Sequence, residues 1–532
     1  MQNFEKRIEE VTEGVYVAIG YALANSILIE APEGNIVIDA TEDIDVAHEI
    51  KSEFKKLSNR PLLALIYTHA HRDHILGASA LVEKGTEVYA HRLFQDVLFK
   101  DQLHVLRQVM NKRNIRQFGV KLTEEKKFRL HSRWDPDKTP DYVLPNRLFE
   151  GEQETTVIAG QTLTIFHAPG ETDDHIYIWL PDRKILFCGD NYYMAFPNLY
   201  AIRGSYRPVL RWIAAIDKMR DLEPDFLVPS HGYPLIGAER ISTVLTAYRD
   251  AIQYIHDAVI RGANDGKTPD ELIEEIHLPQ QLTSYPFLKE DYGRISLSIR
   301  AIYQSYLGVF DGNATNLDPL SPKERAQRII DLIGSRSKLA DAARQALTNG
   351  DYQWAAEIAD MLLALDSGED MARNLKAEAL AQMGMRSRNM NVRYYYLTQA
   401  AELQKEVDIP DDTQEAIKQL APRASLDKIF GSIVFCLAPA AMSDMADKEI
   451  TVGFKTTDTE ETYRMVIRRG VAEARSGLPK NQDLLIQVSS QVLKEISLGL
   501  NNLSSAWLNG QLKISGSITR FQDFASLFEH KP

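Results

Sequence analysis

His69, His71, Asp73 and His74 crowd the run "YTHAHRDHILG", which follows the apolar stretch "PLLALI". His69 and His71 flank Ala70 just beyond a strand-like segment, and Asp73 with His74 falls on what should be the next turn, so the four can diverge as two pairs. Two pairs suggest two metal ions. Imidazole mixed with carboxylate suits Zn²⁺, and two ions about 3.5 to 4 Å apart are a common device for activating water against an ester of an oxyacid. Scattered surface histidines would not give so dense and ordered a pattern at a strand end.

The elements that must position these residues follow from composition and periodicity. A chain of 532 residues with 44% hydrophobic content is too long for one core and reads as two to four globular domains. Its formal charge of -13 argues against a nucleic-acid groove, which needs a concentrated positive field. The two cysteines, Cys188 and Cys436, cannot make a disulfide framework; with no secretory-type apolar segment at the start, a cytoplasmic location is expected. No apolar run has the length of a transmembrane segment; "FGSIVFCLAPAAM" is too short.

Three regions are expected. Residues 1–317 alternate short β-branched runs with helical patterns such as "DVAHEIKSEFKKL" and read as α/β, with a polar, irregular insertion over about 100–150 that walls one face. Residues 318–423 read as all-α, and Gly350 to Gly384 are spaced like one tetratricopeptide-type helical pair, which must pack on neighbours or on a second subunit; a homodimer is a natural use. Residues 424–532 read as a small α+β domain in which "QDLLIQVSSQVLKEISLGL" is an apolar helix.

The His-x-His-x-Asp-His motif after a buried strand resembles the metallo-β-lactamase superfamily, whose fold is an αβ/βα sandwich. The resemblance implies further ligands in later loops. Glu171 follows the Pro-Gly turn of "HAPGETDDH", at a position where the superfamily usually has histidine; Asp190 ends "ILFCGD" as the bridging carboxylate; His231 in "LVPSHGYP" is the last histidine. The implied arrangement is one Zn²⁺ on His69, His71 and Glu171, a second on Asp73, His74 and His231, and Asp190 with a hydroxide bridging them. Asp73 and Asp190 are the expected catalytic carboxylates. His175 reads as a wall or core residue, His167 as structural and Cys188 as packing.

Counting three carboxylates and a hydroxide against two Zn²⁺ leaves the implied core nearly neutral, so an anionic substrate needs help from outside the metal shell. "NLYAIRGSYR" offers Arg203 and Arg207 as bidentate donors. Glu171 after Pro-Gly, the Asn198-to-Gly204 run, "YLGVFDGNATNLDPL", "DYQWAAEIADMLLALD" and "YYYLTQAAEL" together resemble the zinc-dependent alkylsulfatases of the superfamily, over nearly the whole chain. That resemblance implies a helical dimerisation domain, a C-terminal domain similar to sterol-carrier domains that hold aliphatic chains, and a sulfate held by Asn198, Arg203 and Arg207. Departures are Ala70 and Leu76 in the motif and Asp190 where relatives tend to have Glu. The expected reaction is hydrolysis of an alkyl sulfate monoester to alcohol and inorganic sulfate, with attack at sulfur or at carbon both open. Two rival readings are a thioester, lactone or phosphodiester hydrolase on the same metals, and a lipid-binding scaffold with a vestigial site.

Overall fold

The computed structural model describes residues 4–102, 106–128, 131–410, 414–435, 437 and 449–528. Cys436 lies outside them. The chain divides into two compact units, residues 1–98 with 109–411 and residues 99–108 with 412–532.

The first unit is built on two sheets. One carries seven strands in sequence order: β1 (Arg7–Thr12), β2 (Val15–Ile19), β3 (Ser26–Glu30), β4 (Asn35–Ile38), β5 (Leu62–Ile66), β6 (Glu87–His91) and β7 (Arg147–Phe149). Antiparallel through β4 and parallel afterwards, it buries β3 and β4 almost completely, as their β-branched runs require. Between β4 and β5 runs the helix Ile44–Leu57, capped by Asp43 and buried along Ala47, Ile50 and Phe54.

The second sheet takes β8 (Gln153–Ile158), β9 (Gln161–His167), β10 (Ile176–Leu180) and β11 (Ile185–Gly189) as antiparallel neighbours. After the two-residue strands β12 (Tyr200–Ala201) and β13 (Ser205–Tyr206), which pair with each other, β14 (Phe226–Pro229) returns parallel to β11, with β15 (Leu235–Ile236) at the edge. Side chains of both sheets interleave in one core, among them Val17, Ile27 and Ile66 with Ile165, Ile178 and Phe187. Trp212, Leu245, Tyr248 and Ile299, from the helices Val209–Asp221, Ala238–Asn264 and Ile295–Leu307, cover the other face of the second sheet. This is an αβ/βα sandwich.

The insertion departs from the irregular wall expected from its polarity: Arg107–Phe118 is a helix. Its own apolar pattern is weak, and tertiary contacts supply what propensity does not. Arg116 makes a two-pronged pair with Glu402 at 2.7 and 2.8 Å. Phe128 donates its N–H to the Tyr394 hydroxyl at 2.8 Å, and Gly119, at φ +59°, lies so close to the Tyr394 ring that a Cβ would come within 2.8 Å of it.

Helices dominate from Ala238 to Leu403. Pro322–Ile333 starts with a capping box of Ser321 and Glu324, and left-handed Gly334 separates it from Arg336–Asn349. The pair Tyr352–Leu365 and Asp370–Arg386 buries Ile358, Ala359, Leu362 and Ala372 against Ala343 of the preceding helix. Asn389 caps the helix Met390–Leu403 and gives its side-chain N–H groups to the carbonyls of Glu290, Tyr292 and Gly293. No helix among the described residues is long and apolar enough to cross a membrane.

The second unit holds a five-stranded sheet in the order β18 (Val471–Ser476), β17 (Thr462–Arg468), β16 (Glu449–Thr456), β19 (Leu484–Val488) and β20 (Leu512–Gly516). Here the sequence reading needs correction. "LLIQV", expected as the start of an apolar helix, is the strand β19, parallel to β16 and antiparallel to β20, and the helix begins only at Ser490. Leu484, Ile486 and Val488 alternate into the core, a period of two that a short apolar run hides beside a following helix.

Candidate metal centre

The site lies where the C-terminal ends of parallel strands from both sheets meet. Ile176 donates its N–H to Thr68 O at 2.9 Å and Asn25 donates to Ser230 O at 2.7 Å, which fixes the two edges together. Gly189 of β11 is in register with Pro229 of β14, so Asp190 and His231 emerge side by side. Beyond β5, His69 and His71 precede the short helix Arg72–Ile75, whose turn carries Asp73 and His74 into the same space. Glu171 arrives on the β9–β10 connection.

All seven expected ligands converge. Donor atoms of His71, Glu171 and Asp190 lie within 4.8 Å of one another, and the same holds for Asp73, His74 and His231, and for His69, His74 and Asp190. Asp190 Oδ2 sits 3.2, 3.5 and 3.8 Å from ring nitrogens of His231, His74 and His69. Asp73 Oδ2 lies 3.4 Å from His231 and 3.5 Å from His74. Asp190 Oδ1 and His74 Nε2 are buried with no hydrogen-bond partner, a combination that a folded protein rarely tolerates unless something else satisfies them. The donor set fits a metal.

Burial and the neighbouring imidazoles of His74 and His71 hold His69 well below the usual histidine range, and burial with Arg203 does the same to His71, which leaves both rings neutral. Burial pushes the Glu171 carboxyl up to about 7 although Arg207 opposes it. Burial resists protonation of His74, yet Asp190, Asp73 and Asp39 outweigh it.

Several supports have no sequence signature. Asp39, fully buried at the end of β4, accepts from His74 Nδ1 at 2.7 Å, from the Thr68 N–H at 2.8 Å and from the Ser230 hydroxyl at 2.8 Å. His231 Nδ1 donates to Leu23 O at 2.9 Å. The His74 and His231 bonds each orient a ring by its remote nitrogen, and the Thr68 and Ser230 bonds hold Asp39 in place. His175 does not join the ligand groups; its Nε2 accepts the Asp190 N–H at 3.0 Å, against Gly189, where a Cβ would come within 2.5 Å. His167 donates to Asp173 O and stacks on His91 at 4.1 Å, and Cys188 is buried in the strand core.

The arginines divide their labour. Arg203 Nη2 lies 2.7 Å from His71 Nε2, with its guanidinium at the centre. Its backbone N–H donates to Oε1 of Gln117 at 3.2 Å, so the inserted helix carries the loop that presents it. Arg207, 1% exposed, ion-pairs with Glu171 and donates to Asn198 O at 2.8 Å, while its Nη2 has no hydrogen-bond partner. Expected as a sulfate holder, Arg207 is thus first of all the partner of Glu171. Asn198 is buried at the same corner with its side-chain nitrogen unpartnered. Glu42, unnoticed in the sequence, accepts N–H groups of Leu23 at 3.1 Å and Arg133 at 2.7 Å, and burial with repulsion from Asp73 pushes it up to about 7.

A sandwich with this His-x-His-x-Asp-His loop at its strand ends defines a member of the metallo-β-lactamase superfamily, and that superfamily's model matches residues 20–231. Models of the alkyl sulfatase dimerisation region and the alkyl sulfatase C-terminal region match residues 268–406 and 420–531. A linear primary-alkylsulfatase of Pseudomonas sp. is 34% identical over 94% of this chain and 98% of its own length. An (R)-specific secondary-alkylsulfatase of Pseudomonas sp. is 28% identical over 98% of this chain and 80% of its own length. The solved structure of a stereoselective inverting secondary alkylsulfatase from Pseudomonas sp. superposes with a TM-score of 0.86 at 26% identity, covering 99% of this chain and 85% of that one. The chain belongs to the alkylsulfatase family of sulfuric ester hydrolases.

Proposed function

We propose that the chain hydrolyses alkyl sulfate monoesters at a centre of two zinc ions, one held by His69, His71 and Glu171, the other by Asp73, His74 and His231, with Asp190 between them. The observation that carries the proposal is the meeting of all seven donors in three overlapping groups with the Arg203 guanidinium beside them. Water and the monoester give an alcohol and hydrogen sulfate. Bound zinc supplies Lewis acidity and makes hydroxide available near neutral pH.

The chain's own residues do the remainder. Asp190 and Asp73 both lie against the imidazoles of His74 and His231 and orient the attacking water. Arg203 binds the sulfate oxygens, Asn198 offers its free amide N–H groups, and Arg207 holds Glu171 while its unpartnered Nη2 remains for the anion. The region matched at residues 268–406 makes the homodimer, checked by light scattering. A cytoplasmic location, expected from the low cysteine content, is checked by fractionation.

The deciding experiment supplies zinc-loaded protein with medium-chain alkyl sulfates in ¹⁸O-water. Sulfate release far above that of a His69→Ala/His71→Ala variant is expected, and equal release by both proteins overturns the proposal. Label in the alcohol means attack at carbon; label in the sulfate means attack at sulfur.

A further inference from the structure

A cavity of about 550 Å³ opens beside the metal centre, within the range of small-molecule sites. His231 of the metal cluster lines it, flanked by Tyr193 with ring centroids 6.4 Å apart; Tyr292 stands 5.2 Å from Tyr193. Leu23, Met194, Leu235 and Phe287 make its walls apolar. This much suits an aliphatic tail leaving the site.

The solvent-exposed part of its lining does not suit one. Arg240, Lys289 and Arg388, all exposed, line the cavity, with Asp291 as the one acidic residue among the lining side chains. Arg388 lies 3.7 Å from Asp291, and neither Arg240 nor Lys289 has an ion pair among the described residues. In a chain with a formal charge of -13, three cations against one acid around a single opening form a local positive field. A plain alkyl tail would bring methylene groups to these cations and gain nothing from them.

We propose that the preferred substrate is an alkyl sulfate whose tail ends in a second oxyanion, a carboxylate or another sulfate, so that the sulfate ester is read at the metal centre and the far anion at Arg240 and Lys289. The inference rests on the alkylsulfatase reading of the site. It adds the chemistry at the other end of the molecule.

The test compares four substrates of equal chain length with the zinc-loaded full chain: decyl sulfate and its ω-hydroxy, ω-carboxy and ω-sulfooxy counterparts. The ω-hydroxy compound controls for polarity without charge. Values of kcat/KM for the two dianions should exceed that of the ω-hydroxy compound by about 5-fold or more, through KM, because the far anion gains charge-assisted hydrogen bonds from exposed cations that a neutral hydroxyl does not. The two dianions ranked against each other identify the oxyanion. In an Arg240→Glu/Lys289→Glu variant the ratio should fall below one. Equal kcat/KM for charged and uncharged tails, or a preference that survives in the variant, overturns this inference and leaves the hydrolase standing. No hydrolysis of any of the four overturns both.

Discussion

Asp39 accepts a hydrogen bond from Nδ1 of His74 at 2.7 Å and thereby leaves Nε2 of that ring facing Asp73 and Asp190. The carboxylate that sets this tautomer sits outside the ligand set, at the end of a different strand from the one that delivers the histidine.

Asp39→Asn tests the arrangement cleanly. Asp39 has φ +59°, a left-handed conformation that Asn also tolerates, so the fold should survive while the acceptor is weakened. Zinc affinity, measured by competition with a chromophoric chelator, is expected to fall about 10- to 100-fold.

Gln117→Leu removes the acceptor of the Arg203 backbone N–H, and an unpaired buried donor costs about 1 to 3 kcal/mol. Because the loop rather than the metal is disturbed, KM for alkyl sulfates should rise roughly 10-fold with a smaller change in kcat. Steady-state kinetics separate the two. An equal loss in kcat with KM unchanged would count against a positioning role.

Glu42 is held up to about 7 from an ordinary value of 4.5, chiefly by burial. A carboxyl raised in the folded state binds its proton more tightly there than when unfolded, so the stability it contributes is complete below about pH 4.5 and is lost as pH rises through about 7. Glu42→Gln keeps the acceptor for Leu23 and Arg133 without the charge. Between about pH 4.5 and 7 the unfolding free energy of the zinc-free protein should therefore fall less steeply in the variant, by up to about 3 kcal/mol in all.

Chelation should abolish turnover and lower the melting temperature, and added zinc should restore both. At zinc a thousandfold above Kd the stabilisation is about 4 kcal/mol. A protein that melts identically with and without zinc would refute metal binding at this cluster.

What the sequence shows depends on how local the signal is. His69 to His74 lie within six consecutive residues, so their spacing alone announces a candidate metal loop. Asp39, Glu42 and Gln117 each act across a long stretch of chain, on His74, Arg133 and Arg203, and one acid or amide in an ordinary loop or helix has no pattern to betray such a partner. The ion pair of Arg207 with Glu171 is hidden likewise: a basic run beside an anion site looks the same whether its arginine meets substrate or protein. β19 was missed because its five residues run straight into a helix of similar apolarity.

The inserted helix ties the helical region to the metal centre. One of its residues, Arg116, is held by Glu402 within the matched dimerisation region, and the next, Gln117, holds the loop of Arg203. A chain trimmed back to the sandwich would keep the clustered histidines and carboxylates yet lose the Glu402 anchor of the helix that braces the Arg203 loop, so the helices reach the site through the inserted segment.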